Sequence, residues 1–174
     1  MISKITNVCF KGHTNCPINL KQLYCSDYKI KMKLKPERFP GLIIHFALGT
    51  CLIFKSGYYS ICGCKHIEHG WFVQLELFQL LKTNNYKIQN NELIQTNLCG
   101  CFDYGKPINL IKLATRFKKE AYYDVEFFPG LKFKMDNHVF TIHHTGKAFV
   151  TGLKSVEELD KLCEKLYKIF TEII

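Results

Sequence analysis

The chain repeats itself at a fixed spacing, and that repeat limits the possible folds more than any other feature. Asn7 returns as Asn97, Cys9 as Cys99, and Pro17-Ile18-Asn19-Leu20 as Pro107-Ile108-Asn109-Leu110, each 90 residues on. After one deletion the offset becomes 89. It then holds for Glu37/Glu126, Phe39-Pro40-Gly41-Leu42/Phe128-Pro129-Gly130-Leu131, Ile53/Ile142, Gly57/Gly146, Gly63/Gly152, Lys65/Lys154 and Glu68/Glu157. Turn residues kept in register mean that the two halves follow the same backbone path. The repeats are expected over 1–86 and 87–174, as one pseudo-two-fold domain, with the polar stretch from Lys82 to Asn91 as connector.

Each half reads as strand, helix, several strands, helix. The last helix is the plainest: Ser155 and Glu158 have the spacing of a capping box, and Val156, Leu159, Leu162, Cys163, Leu166, Ile169, Phe170 and Ile173 recur at helical period. Its counterpart is predicted over Ile67 to Leu81, with Trp71, Leu75 and Phe78 facing inward. Thr50 to Phe54, Tyr58 to Cys62 and Lys147 to Thr151 are short, rich in β-branched and aromatic residues and bounded by glycines, as hairpin strands are. Two helices per half can cover one face of the resulting sheet, so the other face is solvated or holds a ligand. Sheets joined across a pseudo-two-fold axis would offer a symmetric surface, and duplex DNA has a matching approximate symmetry.

Charge narrows the ligand. Lys and Arg number 24 against 15 Asp and Glu, a net +9 that favours a polyanion, nucleic acid or an acidic membrane surface. Met1 to Phe10 hold no apolar signal core, and the longest apolar stretch, Gly41 to Phe54, is interrupted by His45, Gly49 and Thr50, so a soluble intracellular protein is expected. Nine cysteines, an odd number, several within apolar patterns, suit reduced thiols in a reducing compartment.

Certain segments resemble a known family. Asn7-Val8-Cys9, Arg38-Phe39, Cys51-Leu52-Ile53-Phe54-Lys55-Ser56-Gly57 and Cys62-Gly63-Cys64-Lys65 in the first half are similar to the TATA-box-binding protein pattern. Ile94-Gln95-Thr96-Asn97, Phe128-Pro129-Gly130-Leu131, Thr145-Gly146-Lys147 and Thr151-Gly152-Leu153-Lys154 match it again in the second. The resemblance implies an α+β fold: tandem β-α-β4-α repeats forming a saddle with a ten-stranded curved antiparallel sheet and helices on the convex face. It implies a non-enzymatic factor, without cofactor, that grips and bends AT-rich promoter DNA from the minor groove and nucleates pre-initiation complex assembly. Its place of work would be the nucleus, or a viral transcription site.

Residue roles follow from that likeness. Asn7 and Asn97 match paired asparagines whose amides meet thymine O2 or adenine N3 on the groove floor, where a guanine amino group would obstruct them. Phe39, Phe54 and Phe128 match aromatic wedges driven between base pairs, and His143 stands where the fourth would be; an imidazole there gains charge beside phosphate below about pH 6.5. Cys62 and Thr151 match paired base-contacting threonines, and Cys9, Leu52, Cys99 and Phe149 match apolar floor contacts. Ser60 and Thr141 depart where an aliphatic residue is usual. Lys65, Lys134, Lys147 and Lys154 match phosphate-contacting positions, with His45 in place of an Arg and Tyr58 in place of a Lys. Asp124, Glu126 and Phe127 match the patch that engages the B-type general transcription factor and, through it, the RNA polymerase machinery.

Three other readings compete. Cys62-Gly63-Cys64 and Cys99-Gly100-Cys101, with His66 and His69 nearby, suggest metal, but alternate strand residues point the same way without converging, so none is expected. A Cys-His enzyme lacks any accompanying catalytic motif. A protein-docking factor of the same fold with little intrinsic TATA preference remains open.

Overall fold

The chain, in a computed structural model that describes residues 2–173, runs β1 (Ile2–His13), α1 (Leu20–Tyr24), β2 (Lys31–Leu34), β3 (Gly41–Phe46), β4 (Gly49–Phe54), β5 (Tyr58–Cys64) and α2 (Ile67–Thr83). The same order returns as β6 (Leu93–Asp103), α3 (Leu110–Arg116), β7 (Ala121–Tyr122), β8 (Leu131–Met135), β9 (His138–Ile142), β10 (Lys147–Leu153) and α4 (Val156–Thr171). Met1 and Ile174, the outermost residues of the expected repeats, lie outside the described residues. No helix among them is long and apolar enough to cross a membrane.

The chain forms two compact units. One is Asn7–Thr96; the other joins the residues up to Thr6 with those from Asn97 onward. The sequence divides the repeats between 86 and 87, whereas contacts give the connector to the first unit. Buried Gln74 explains this: its amide donates to the Tyr59 hydroxyl at 2.6 Å and to the Asn91 carbonyl at 3.1 Å, tying the connector to α2 and β5.

In the first unit the strands lie in the order β2-β3-β4-β5-β1, all antiparallel. Ile44, Cys51, Ile61 and Phe10 stand opposite one another on successive strands and are all buried, as are their neighbours Leu42, Ile53 and Tyr59. Alternation therefore sends one face of this sheet into a core closed by Val73, Leu77 and Leu81 of α2. The second unit orders its strands β6-β10-β9-β8-β7. Its buried rows are Phe133-Phe140-Val150-Gly100 and Leu131-Ile142-Ala148-Phe102, closed by Leu159, Leu162, Cys163, Leu166 and Phe170 of α4.

The short helices start the same way. Asn19 caps α1 and Asn109 caps α3, each side chain accepting the amide three residues on, from Gln22 at 3.2 Å and Lys112 at 2.9 Å. That is why the Pro-Ile-Asn-Leu segment repeats: the Asn begins the helix and the buried Ile18 or Ile108 anchors it. At α4 the Ser155 hydroxyl accepts the Glu158 amide at 3.2 Å, but the Glu158 carboxylate turns to the Lys154 amide and to His138. The Lys154 amide, chiefly, holds the Glu158 carboxyl below its usual range. A lowered carboxyl gives stability that is present above its ordinary pKa and lost as pH falls through the depressed one. Ser155→Ala is expected to cost about 1 kcal/mol, read as a lower denaturation midpoint with an unchanged m-value.

One expectation is corrected. Trp71 and Leu75 do not face inward: they are 49% and 63% exposed, and only Phe78 of that trio is buried. The core-facing stripe of α2 is Val73, Gln74, Leu77, Leu80 and Leu81. With apolar residues all around this helix, periodicity could not tell which side the sheet would take.

Candidate nucleic-acid interface

Among the described residues, each unit leaves one sheet face without helices. In the first unit this face carries Asn7, Cys9 and Lys11 of β1, Ser60 and Cys62 of β5, Leu52 and Phe54 of β4, and Ile43 and His45 of β3, all half-buried or exposed. In the second it carries Asn97 and Cys99 of β6, Lys147, Phe149 and Thr151 of β10, Thr141 of β9, and Lys132 and Lys134 of β8. Every sequence-predicted strand residue lies on such a face.

The asparagines have a shared geometry that the sequence alone does not reveal. The Gly63 amide donates to Asn7 Oδ1 at 2.7 Å, and the Gly152 amide donates to Asn97 Oδ1 at 2.9 Å. Both glycines sit at the left-handed φ values of 81° and 82°, where the β5/β1 and β10/β6 registers slip by a bulge. Each Asn oxygen is thus occupied. Among the described residues the Nδ2 group meets only a weak acceptor, Cys9 Sγ at 3.3 Å or Cys99 Sγ at 3.5 Å. What each open face presents is therefore an oriented amide donor, suited to a ligand that offers acceptors. Beside them the Thr96 hydroxyl donates to the Cys9 carbonyl and the Thr6 hydroxyl to the Cys99 carbonyl, both at 3.2 Å.

Aromatic groups gather at the strand ends. Phe39 meets Phe54 edge-on at 5.6 Å between ring centroids, and Phe128 meets His143 at 6.3 Å in the same manner. His143 in turn packs edge-on against Phe149 at 5.9 Å. A Cβ at Gly41 would approach the Phe39 ring to 2.7 Å, and one at Gly130 the Phe128 ring to the same distance. The Phe-Pro-Gly sequence thus lets each ring fold back over its own turn. Phe128 and Phe149 remain about two-fifths exposed, at 39% and 40%. Exposed aromatic surface of this kind is unfavourable in water unless a ligand covers it.

The lysines expected at phosphates, Lys65, Lys134, Lys147 and Lys154, are all exposed. Sequence reasoning missed Lys132. Its ammonium lies 5.1 Å from the Phe128 ring centroid and donates to the Thr141 hydroxyl at 2.7 Å. That gives the polar Thr141 a role, and strand alternation with Lys134 was the available signal. In the loop before Phe128, the Asp124 carboxylate accepts the amides of Glu126 and Phe127, at 3.2 and 3.3 Å. The resulting turn leaves Phe127 88% exposed.

The cysteine pairs divide for a reason other than the expected one. The extra residue at Gly63 puts Cys62 on the open face and Cys64 in the core, so the two do not point the same way. Burial pushes the thiols up, Cys64 to about 11 and Cys163 to about 12, as fits neutral packing groups.

Comparison with known proteins agrees with this duplicated geometry. The family model for "Transcription factor TFIID (or TATA-binding protein, TBP)" matches residues 2–82 and again 93–173. The chain belongs to the TATA-binding protein family. Among its relatives in the family, the TATA-box-binding protein of Methanococcus maripaludis is 30% identical over 98% of this chain and 94% of its own length. TATA-box-binding protein-like 1 of Entamoeba histolytica is 26% identical over 97% of this chain and 79% of its own length. The solved Methanococcus jannaschii TBP superposes with a TM-score of 0.83 at 28% identity, covering 98% of this chain and 99% of that one. The fold is that of the TATA-binding protein family, with ten antiparallel strands and four helices among the described residues. The family is one of transcription factors.

Proposed function

We propose that the open faces of both units bind the minor groove of AT-rich promoter DNA, bend it, and so nucleate assembly of the transcription machinery. The observation that carries this reading is the pair of asparagines with occupied oxygens and outward amides. Minor-groove floors of A·T pairs offer only acceptors, adenine N3 and thymine O2, and a guanine amino group would face an amide donor with another donor. Cys9, Leu52 and Cys62 in one unit, and Cys99, Phe149 and Thr151 in the other, then line the floor, while Lys65, Lys134, Lys147 and Lys154 meet phosphates. Phe39 with Phe54, and Phe128 with His143, act as wedges that unstack a base step and kink the duplex.

The Asp124 turn, with Phe127 projecting and Glu126 beside it, suits a basic and apolar partner surface, and we assign it to the B-type general transcription factor. A gel-shift and bending assay on AT-rich and GC-rich duplexes tests the whole reading. Phe128→Ala is expected to reduce the bend more than it weakens nonspecific binding, since the wedge unstacks the kinked step while phosphate contacts carry nonspecific binding. Equal binding to both duplexes together with retained partner binding would instead identify a docking factor.

A further inference from the structure

The exposed side of α2 is not explained by the fold. Trp71, Phe72 and Leu75 are 49%, 53% and 63% exposed, yet the aligned positions of α4, 89 residues on, are Asp160, Lys161 and Glu164. The same scaffold position therefore works with charged residues, and its apolar character in α2 needs another cause. Beside this stripe runs an open groove of roughly 600 Å³, lined by Trp71, Leu75, Phe78, Lys82 and, on its far wall, Ile88. The wall is fixed in place by the Gln74 bond to Asn91.

Charge identifies the occupant. Glu68 lies in the first turn of α2 and Lys82 in the last, and among the described residues neither has an ion-pair partner within the chain. Glu68, Trp71, Leu75 and Lys82, spaced three, four and seven residues apart, follow one exposed seam with Leu75 at its midpoint. We infer that α2 is a self-association surface, and that a second copy of this chain packs its own α2 antiparallel across it. A two-fold axis at Leu75 brings each Glu68 to the Lys82 of the second copy, about 21 Å apart along each helix. Leu75 then meets its own symmetry mate. The second copy's Trp71 falls opposite Phe78 and Lys82, beside Ile88, in the groove. The two helix dipoles also run in opposite directions, and the contact is isologous, so it closes as a dimer.

Within the first unit this surface lies on the sheet side opposite Asn7, so it does not depend on the DNA reading and does not compete with it. Sedimentation equilibrium of the full chain, from about 1 to 200 micromolar, tests the proposal directly. The wild type is expected to dimerise reversibly in that range. Leu75→Glu, which places the residue natural to α4 on the exposed stripe, is expected to weaken the dimer at least about tenfold while keeping the fold of the monomer, read as an unchanged circular-dichroism spectrum, and its binding to AT-rich DNA. Glu68→Lys and Lys82→Glu are each expected to weaken it about threefold to fivefold, and the double exchange to restore it, because the pair is then reversed but intact. A wild type that stays monomeric at the highest concentration overturns the inference. So does an unchanged dimer in Leu75→Glu, or a double exchange no better than either single one. Loss of DNA binding with an intact dimer would count against the DNA reading alone.

Discussion

A chain carrying Asn7→Ala and Asn97→Ala together is expected to bind AT-rich duplex at least about thirtyfold more weakly than the wild type, with little change on GC-rich duplex. Each amide contact contributes about 1–3 kcal/mol of discrimination, so losing two of them removes at least about 2 kcal/mol, or roughly thirtyfold. Alanine, however, also removes the acceptor for the Gly63 or Gly152 amide, and part of any loss would come from a loosened bulge. The companion substitutions Asn7→Asp and Asn97→Asp separate the effects. Asp keeps an oxygen for the glycine amide and replaces the outward donor with a carboxylate, which the acceptors and phosphates of the groove repel. Fluorescence anisotropy at fixed salt should therefore show the Asp pair folded and binding AT-rich DNA no better than the Ala pair. Wild-type affinity in the Asp pair would end the amide-donor account.

The repeat, and with it the order of elements, was legible because both copies keep their special backbone positions. Gly63 and Gly152 hold left-handed bulges, Asn19 and Asn109 hold helix caps, and neither residue type is easily replaced at such places. The open faces were legible for a related reason, since strand alternation places Phe149 and Thr151 on one side and Ala148 and Val150 on the other. Three features were not. The orientation of α2 was hidden because its outward side also carries large apolar residues, Trp71, Phe72 and Leu75. The separation of Cys62 from Cys64 was hidden because a bulge reverses the alternation that a plain strand would keep. The bond from each Asn to its glycine joins residues 56 and 55 positions apart, and only the folded register brings them together. Lys132 illustrates a different gap: the family likeness directs attention to matched positions, while this lysine serves the unmatched Thr141 and Phe128.

Salt should affect binding as strongly as the asparagines do, but without regard to sequence. If Lys65, Lys134, Lys147 and Lys154 each neutralise one phosphate, the slope of log affinity against log salt is about −3.6, and raising salt from about 50 to 200 mM weakens binding roughly 150-fold. Phosphates are the same beneath every base pair, so Lys147→Gln and Lys154→Gln should each reduce the slope by about 0.9 on AT-rich and GC-rich duplex alike. The asparagine variants should do the reverse, lowering the AT-to-GC ratio while leaving the slope in place. Titrations of both variant sets at four or more salt concentrations measure the two quantities independently. A slope unchanged by the lysine substitutions would move the phosphate contacts elsewhere on the chain. A slope that fell with the asparagine variants would mean that their side chains act on the backbone of the duplex and not on its bases.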